Sequence, residues 1–127
     1  MVGHGWPMIG QSLTNHWPNG GGRNQCVFSI DVDAIHACIA WFTVKFAGLS
    51  DHVEILVGRG HDRIDELVNR FGAKSVDMLF LDHRGTIYHL DLERATSKHL
   101  LKEGAIVIAD NVLAPGAPEF LWYLEDF

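Results

Sequence analysis

Four times between Cys26 and Phe127, a short apolar run gives way to a longer segment with helical spacing, and three of those runs end in an aspartate. This alternation is the strongest constraint on the fold. The runs are Cys26 to Asp31, Val53 to Val57, Val76 to Leu81 (followed by Asp82) and Ala105 to Ala109 (followed by Asp110). The intervening segments are long enough for helices. Ala34 to Phe46 is rich in apolar residues and stops at Gly48. Next, Asp62 is placed to cap a helix whose apolar positions are Ile64, Leu67, Val68 and Phe71, ended by Gly72. Tyr88 to Leu101 carries Leu90, Leu92, Ala95 and Leu100, and Pro118 to Phe127 opens a last helix on Phe120, Leu121 and Leu124. Strands alternating with helices predict an α/β fold with an open, mostly parallel sheet and right-handed crossovers. The third and fourth runs are almost wholly apolar, as parallel strands covered on both faces are.

The first 25 residues differ. They hold Gly3, Gly5, Pro7, Gly10, Pro18 and the Gly20-Gly21-Gly22 run, and read as loop. The expected organisation is a loop-rich segment over 1–25 and one folded domain over 26–127. The formal net charge of −6 argues against a nucleic-acid backbone as the main partner. No basic and apolar leader opens the chain, and Val27 to Leu49 is broken by Asp31, Asp33, His36 and Lys45, so it is not a membrane span. Cys26 and Cys38, without a CxxC pair, read as buried reduced thiols of a cytoplasmic protein.

In open α/β sheets, ligands bind beyond the carboxyl ends of the strands. Asp31, Asp82 and Asp110 all lie there. If the strands before Asp82 and Asp110 are neighbours, their axes lie about 5 Å apart, and the two carboxylates with Asn111 make an oxygen set suited to Mg²⁺. Strand-end aspartates also cap the loop or helix that follows, and spacing does not separate the two roles. Asp31 lies 21 residues past Gly10, a distance at which an acid bonds ribose hydroxyls in dinucleotide-type folds, but a helix-capping role fits equally. Gly58-Arg59-Gly60-His61-Asp62 opens a helix after the second strand; it suits close approach of a ligand ring or a simple tight connection. None of the eight histidines forms HxH or HExxH, so zinc is not expected.

Several stretches carry a family resemblance: Phe80-Leu81-Asp82-His83, Tyr88, Ala109-Asp110-Asn111-Val112, and Pro115-Gly116-Ala117-Pro118 with Phe120. With Phe28-Ser29-Ile30-Asp31 and Phe46-Ala47-Gly48 upstream, the chain from Asp31 onward resembles the catechol O-methyltransferase family. The resemblance implies a Rossmann-like methyltransferase sheet. It implies S-adenosylmethionine as methyl donor, Mg²⁺, and a catechol-like small-molecule substrate, with no nucleic-acid or membrane partner. By the same resemblance, Asp31 binds the cofactor ribose, while Gly58, Gly60, His61 and His83 line its adenine side. Asp82, also counted on the cofactor side, joins Asp110 and Asn111 around the metal, and Asp82, Asn111 and Pro115 meet the substrate.

The chain departs from the family pattern at three places. Gly85 stands where the family carries a lysine base, beside Arg84 in place of an aromatic wall residue. The family's first strand and glycine motif are not recognisable, Gly10-Gln11-Ser12 being the one candidate remnant. The sequence stops at Phe127, before the family's further strands, so a partial, incomplete sheet is expected. Two functional readings follow: an active O-methyltransferase, or an inactive truncated relative that keeps at most cofactor or metal binding. A receiver-like or phosphatase-like acidic pocket explains the strand-end acids but not the Pro115 to Pro118 stretch.

Overall fold

The computed structural model describes residues 8–11 and 26–126. Five strands and four α-helices are present among them: β1 (Met8–Gln11), β2 (Cys26–Asp31), α1 (Ala34–Phe46), β3 (Val53–Val57), α2 (Gly60–Phe71), β4 (Val76–Leu81), α3 (Tyr88–Ser97), β5 (Leu101–Ala109) and α4 (Pro118–Glu125). A 3₁₀ turn, Gly85–Ile87, precedes α3, and a wide turn, Val112–Gly116, precedes α4. The mixed α/β architecture matches a partial Rossmann-like methyltransferase fold.

β2 and β3 pair in parallel, Asp31 opposite Val57, and β4 and β5 pair in parallel, Leu81 opposite Ala109. β1 pairs antiparallel with β2 and lies alongside β4, so a three-stranded sheet ordered β3, β2, β1 sits beside the two-stranded β4–β5 pair, the two together forming one layer. The segment read as loop thus contributes a strand at Met8–Gln11. Gly10 and Gln11 of the suspected remnant lie in it, running opposite to their neighbour; Ser12 and the rest of 1–25, apart from 8–11, lie outside the described residues.

One face of the sheet carries the core. Cys26, Phe28 and Ile30 of β2, Leu56 of β3, and Leu79 and Leu81 of β4 pack with Ile64 and Leu67 of α2, Tyr88, Leu92 and Ala95 of α3, and Phe120 of α4. These are the alternate strand residues and the helical stripes that a two-layer packing requires. Arg70 of α2 fastens this layer at its rim: its guanidinium grips both oxygens of Glu54 at 2.8 Å and lies over the rings of Phe28 and Phe71.

On the opposite face α1 is the one described helix against β2 and β3. Ala37 is its one buried residue. Ile35, Ile39, Phe42 and Phe46 form a second stripe on its outer side, all exposed, Phe46 at 96%.

Several boundaries differ from the sequence reading. α2 begins at Gly60 with Arg59 at its N-cap, and Asp62 falls inside its first turn. α3 stops at Ser97 and β5 starts at Leu101, because His99 takes a left-handed φ of 54° that ends the helix. β5 was expected to be covered on both faces; Ile106, Val107 and Ile108 are instead exposed. Both cysteines are free, but Cys38 is exposed on α1 rather than buried.

Candidate active site

The carboxyl ends of the strands are drawn together by backbone and side-chain contacts. The Gly58 N–H donates to the Asp31 carbonyl at 2.8 Å, joining the ends of β2 and β3. The Asp110 N–H donates to the Leu81 carbonyl at 2.8 Å, joining the ends of β4 and β5. A side-chain chain links the two pairs: a Cβ added to Gly60, just past β3, would lie 2.7 Å from Asp91 Oδ2, and that same oxygen lies 2.8 Å from Nε2 of His83, just past β4.

Asp31 is buried, and one oxygen accepts the Asp33 N–H at 2.8 Å. The cap of α1 is Asp33, which accepts from the Ile35 N–H at 2.8 Å and the His36 N–H at 3.4 Å. The helix-capping reading of Asp31 therefore fails, since its neighbour two residues on takes that role. The second Asp31 oxygen lies 3.9 Å from Nδ1 of His36.

Asp82 and Asp110 follow register partners on adjacent parallel strands. Both charges act on Tyr88: burial first, then the carboxylates of Asp82 and Asp110, push its hydroxyl up from 10.0 to about 12. Asp110 Oδ1 accepts the Asn111 N–H at 2.7 Å, and Asn111 takes a left-handed φ of 57° that turns the chain out of the strand. Asp82, Asp110 and Asn111, neighbours in register and sequence, are hard oxygen donors, the donor type that fits Mg²⁺. Among the described residues no group of three or more His, Cys, Asp or Glu gathers in metal-binding array; the trio here has two acids and an amide.

Gly58 and Gly60 stand at the turn into α2, and His61 is exposed on its first turn. Gly58 has φ 150°, and a Cβ there would meet the Arg63 guanidinium at 2.6 Å. Arg63 in turn donates from Nε to the Val57 carbonyl at 2.9 Å. Pro115 is exposed in the turn after β5. Gly85 is tightly packed: a Cβ would lie 2.9 Å from the Gly116 carbonyl oxygen and 3.0 Å from the Ala117 Cβ.

The sequence reading gave no role to Asp91, Arg63 or Tyr88. For Asp91 a signal existed: it occupies the buried stripe of α3, next to Leu92 and three residues from Tyr88. A carboxylate on a core stripe needs a partner.

The profile of the O-methyltransferase family matches residues 17–118. The chain is similar to catechol O-methyltransferase of Bos taurus, 38% identical over 77% of this chain and 36% of that protein. It is also similar to catechol O-methyltransferase of Sus scrofa, 39% identical over 75% of this chain and 51% of that protein. A transmembrane O-methyltransferase of Homo sapiens is 38% identical over 81% of this chain and 35% of its own length. The chain thus spans about a third to a half of these relatives. No helix among the described residues is long and apolar enough to cross a membrane.

Proposed function

As this chain belongs to the O-methyltransferase family, we propose that it transfers a methyl group from S-adenosylmethionine to a hydroxyl of a catechol-like small molecule, with Mg²⁺, in the cytoplasm. One observation carries the reading. Asp82 and Asp110 stand at register-paired ends of adjacent parallel strands, with Asn111 next to them, and both charges bear on Tyr88.

In this reading Asp31 receives the two ribose hydroxyls of the cofactor. Its burial strengthens hydrogen bonds to a carboxylate. Gly58 and Gly60 let a flat base approach the backbone after β3, and His61 and His83 flank that base. Asp82, Asp110 and Asn111 hold the cation, and Asp82, Asn111 and Pro115 border the acceptor. When bound, Mg²⁺ supplies positive charge that acidifies and orients an acceptor hydroxyl. The protein's own share is positioning, because in-line transfer rewards a fixed geometry between oxygen and methyl carbon.

A second reading has its own support. Gly85 leaves no room for a side chain against Gly116 and Ala117, and Arg84 beside it is too strongly protonated to take a proton. A relative that binds cofactor or metal without turnover fits that packing. A methyl-transfer assay with catechol, Mg²⁺ and labelled S-adenosylmethionine separates the two. Product well above an Asp82→Ala control supports the enzyme. Absence of product, with a melting midpoint that still rises on adding cofactor and Mg²⁺, supports the binding relative; a ligand at a hundredfold excess over its Kd stabilises by about 2.7 kcal/mol.

A further inference from the structure

This inference rests on the reading of the β3 and β4 ends as a wall for a flat heteroaromatic base, and it adds two residues to that wall. We propose that Asp91 is a positioning residue that anchors the His83 ring through Nε2, and that position 60 is glycine so that the Asp91 carboxylate can reach it. Asp91 is 5% exposed on α3, within the stripe that also buries Tyr88, Leu92 and Ala95. Burying a carboxylate on such a face is costly unless a donor meets it.

The donor is His83. Nε2 lies 2.8 Å from Asp91 Oδ2. That nitrogen is itself sealed from solvent, although the side chain as a whole is 21% exposed. A carboxylate oxygen 2.8 Å away attracts a hydrogen on Nε2 and repels a lone pair there, so Nε2 carries the ring proton. The pair is a close charge contact rather than an aligned hydrogen bond, so Asp91 holds the ring by attraction to the Nε2 hydrogen. The ring packs edge to face on Tyr88, with centroids 4.9 Å apart, and Tyr88 packs on Phe120 at 5.7 Å. His83 is thus gripped at one tip by a carboxylate and along one side by an aromatic pair.

Gly60 completes the arrangement. It is the first residue of α2, and any Cβ there would meet Asp91 Oδ2 at 2.7 Å and Cγ at 3.1 Å. The start of a helix also favours a neighbouring negative charge. One carboxylate therefore ties the beginning of α2, the middle of α3 and the residue after Asp82. A bulkier residue at 60 would push Asp91 off His83, and loss of Asp91 would free the ring.

The test uses the full chain labelled with ¹⁵N, its His83 signals assigned by their loss in His83→Gln. Long-range nitrogen–proton spectra at neutral pH report which ring nitrogen carries hydrogen. The expected result is a protonated Nε2 in the native chain, kept in Asp91→Asn, whose amide oxygen still accepts, and lost to mixed tautomers in Asp91→Ala. S-adenosylhomocysteine, followed by calorimetry, should bind about tenfold more weakly to Asp91→Ala and to Gly60→Ala. The double variant should lose no more than either, because both break one contact. An unprotonated Nε2 in the native chain overturns the proposal even if the variants do not fold, and so does an unchanged His83 spectrum in Asp91→Ala. If the native chain binds no S-adenosylhomocysteine, the cofactor reading fails, while the nitrogen spectra still decide the His83–Asp91 pair.

Discussion

The two faces of the sheet are built to different standards. The face under α2, α3 and α4 is closed: Phe28, Ile30, Ile64, Leu67, Leu79 and Tyr88 are almost wholly inaccessible. The opposite face is open: α1 lies against β2 and β3, Met78, Ile106 and Ile108 of β4 and β5 remain exposed, and the helix carries a bare apolar stripe on its far side. The proposed site draws its walls from the closed face. His83, Asp91 and Tyr88 all pack there, and a site that must hold side chains to within a fraction of an ångström needs such support. Position matters more than hydrophobicity in this chain, since equally apolar residues are locked on one side and wet on the other.

The largest expected contrast comes from truncating one aromatic on each face. Tyr88→Ala should destabilise the chain by about 3–5 kcal/mol, through lost burial and the cavity left behind. Phe42→Ala on the outer stripe should change stability by less than about 0.5 kcal/mol. Urea unfolding measures both, and equal losses would break the comparison. A smaller effect is expected at Gly85. Gly85→Lys sets a Cβ against the Gly116 carbonyl and Ala117, and should cost about 1–3 kcal/mol, as overpacking does. It should therefore fail to create methyl transfer, which the assay above would read directly.

Alkaline titration sharpens the same contrast. The Tyr88 hydroxyl is raised in the folded state, so the fold holds that proton more tightly than the unfolded chain does. The resulting stability is complete below pH 10 and is lost as pH climbs from 10.0 toward about 12. Tyr88→Phe should flatten this part of the stability curve. The smallest effect belongs to the surface pair that joins α2 to α3. Hydrogen bonding from Arg94 holds Asp65 below the usual carboxylate value, so its contribution is present above the unfolded value and fades as acid protonates Asp65. Arg94→Met should lower neutral stability slightly and leave stability in acid, where Asp65 is already protonated, hardly changed.

Much of the closed face was legible in sequence. The stripe Ile64, Leu67, Val68, Phe71 and the strand ends at Asp31, Leu81 and Ala109 are where periodicity puts them. What escaped has local causes. Met8–Gln11 is too short and too glycine-rich to announce a strand, and its place comes from pairing with β2. Leu101 to Glu103 belong to β5 although Gly104, at φ 79°, interrupts the apolar run. In the site, the strand-end acids were visible as candidates. Which one caps α1 was not, because Asp31 and Asp33 differ only in which backbone N–H groups lie in reach. Asp91 was missed because its partner is eight residues away across a turn, a contact that neither helical nor strand spacing encodes.

The tight seat of Gly85 against Gly116 has a consequence for motion. The 3₁₀ turn after β4 lies so close to Gly116 and Ala117 that a single added Cβ at Gly85 would not fit, and both turns rest on α4. Their common support on α4 predicts that they open together. The Ile87 amide, bonded to the Arg84 carbonyl at 3.0 Å, and the Gly116 amide, bonded to the Asn111 carbonyl at 3.1 Å, should then exchange their hydrogens with deuterium at a common opening free energy. Entry of any small molecule between these turns would be timed by that single event.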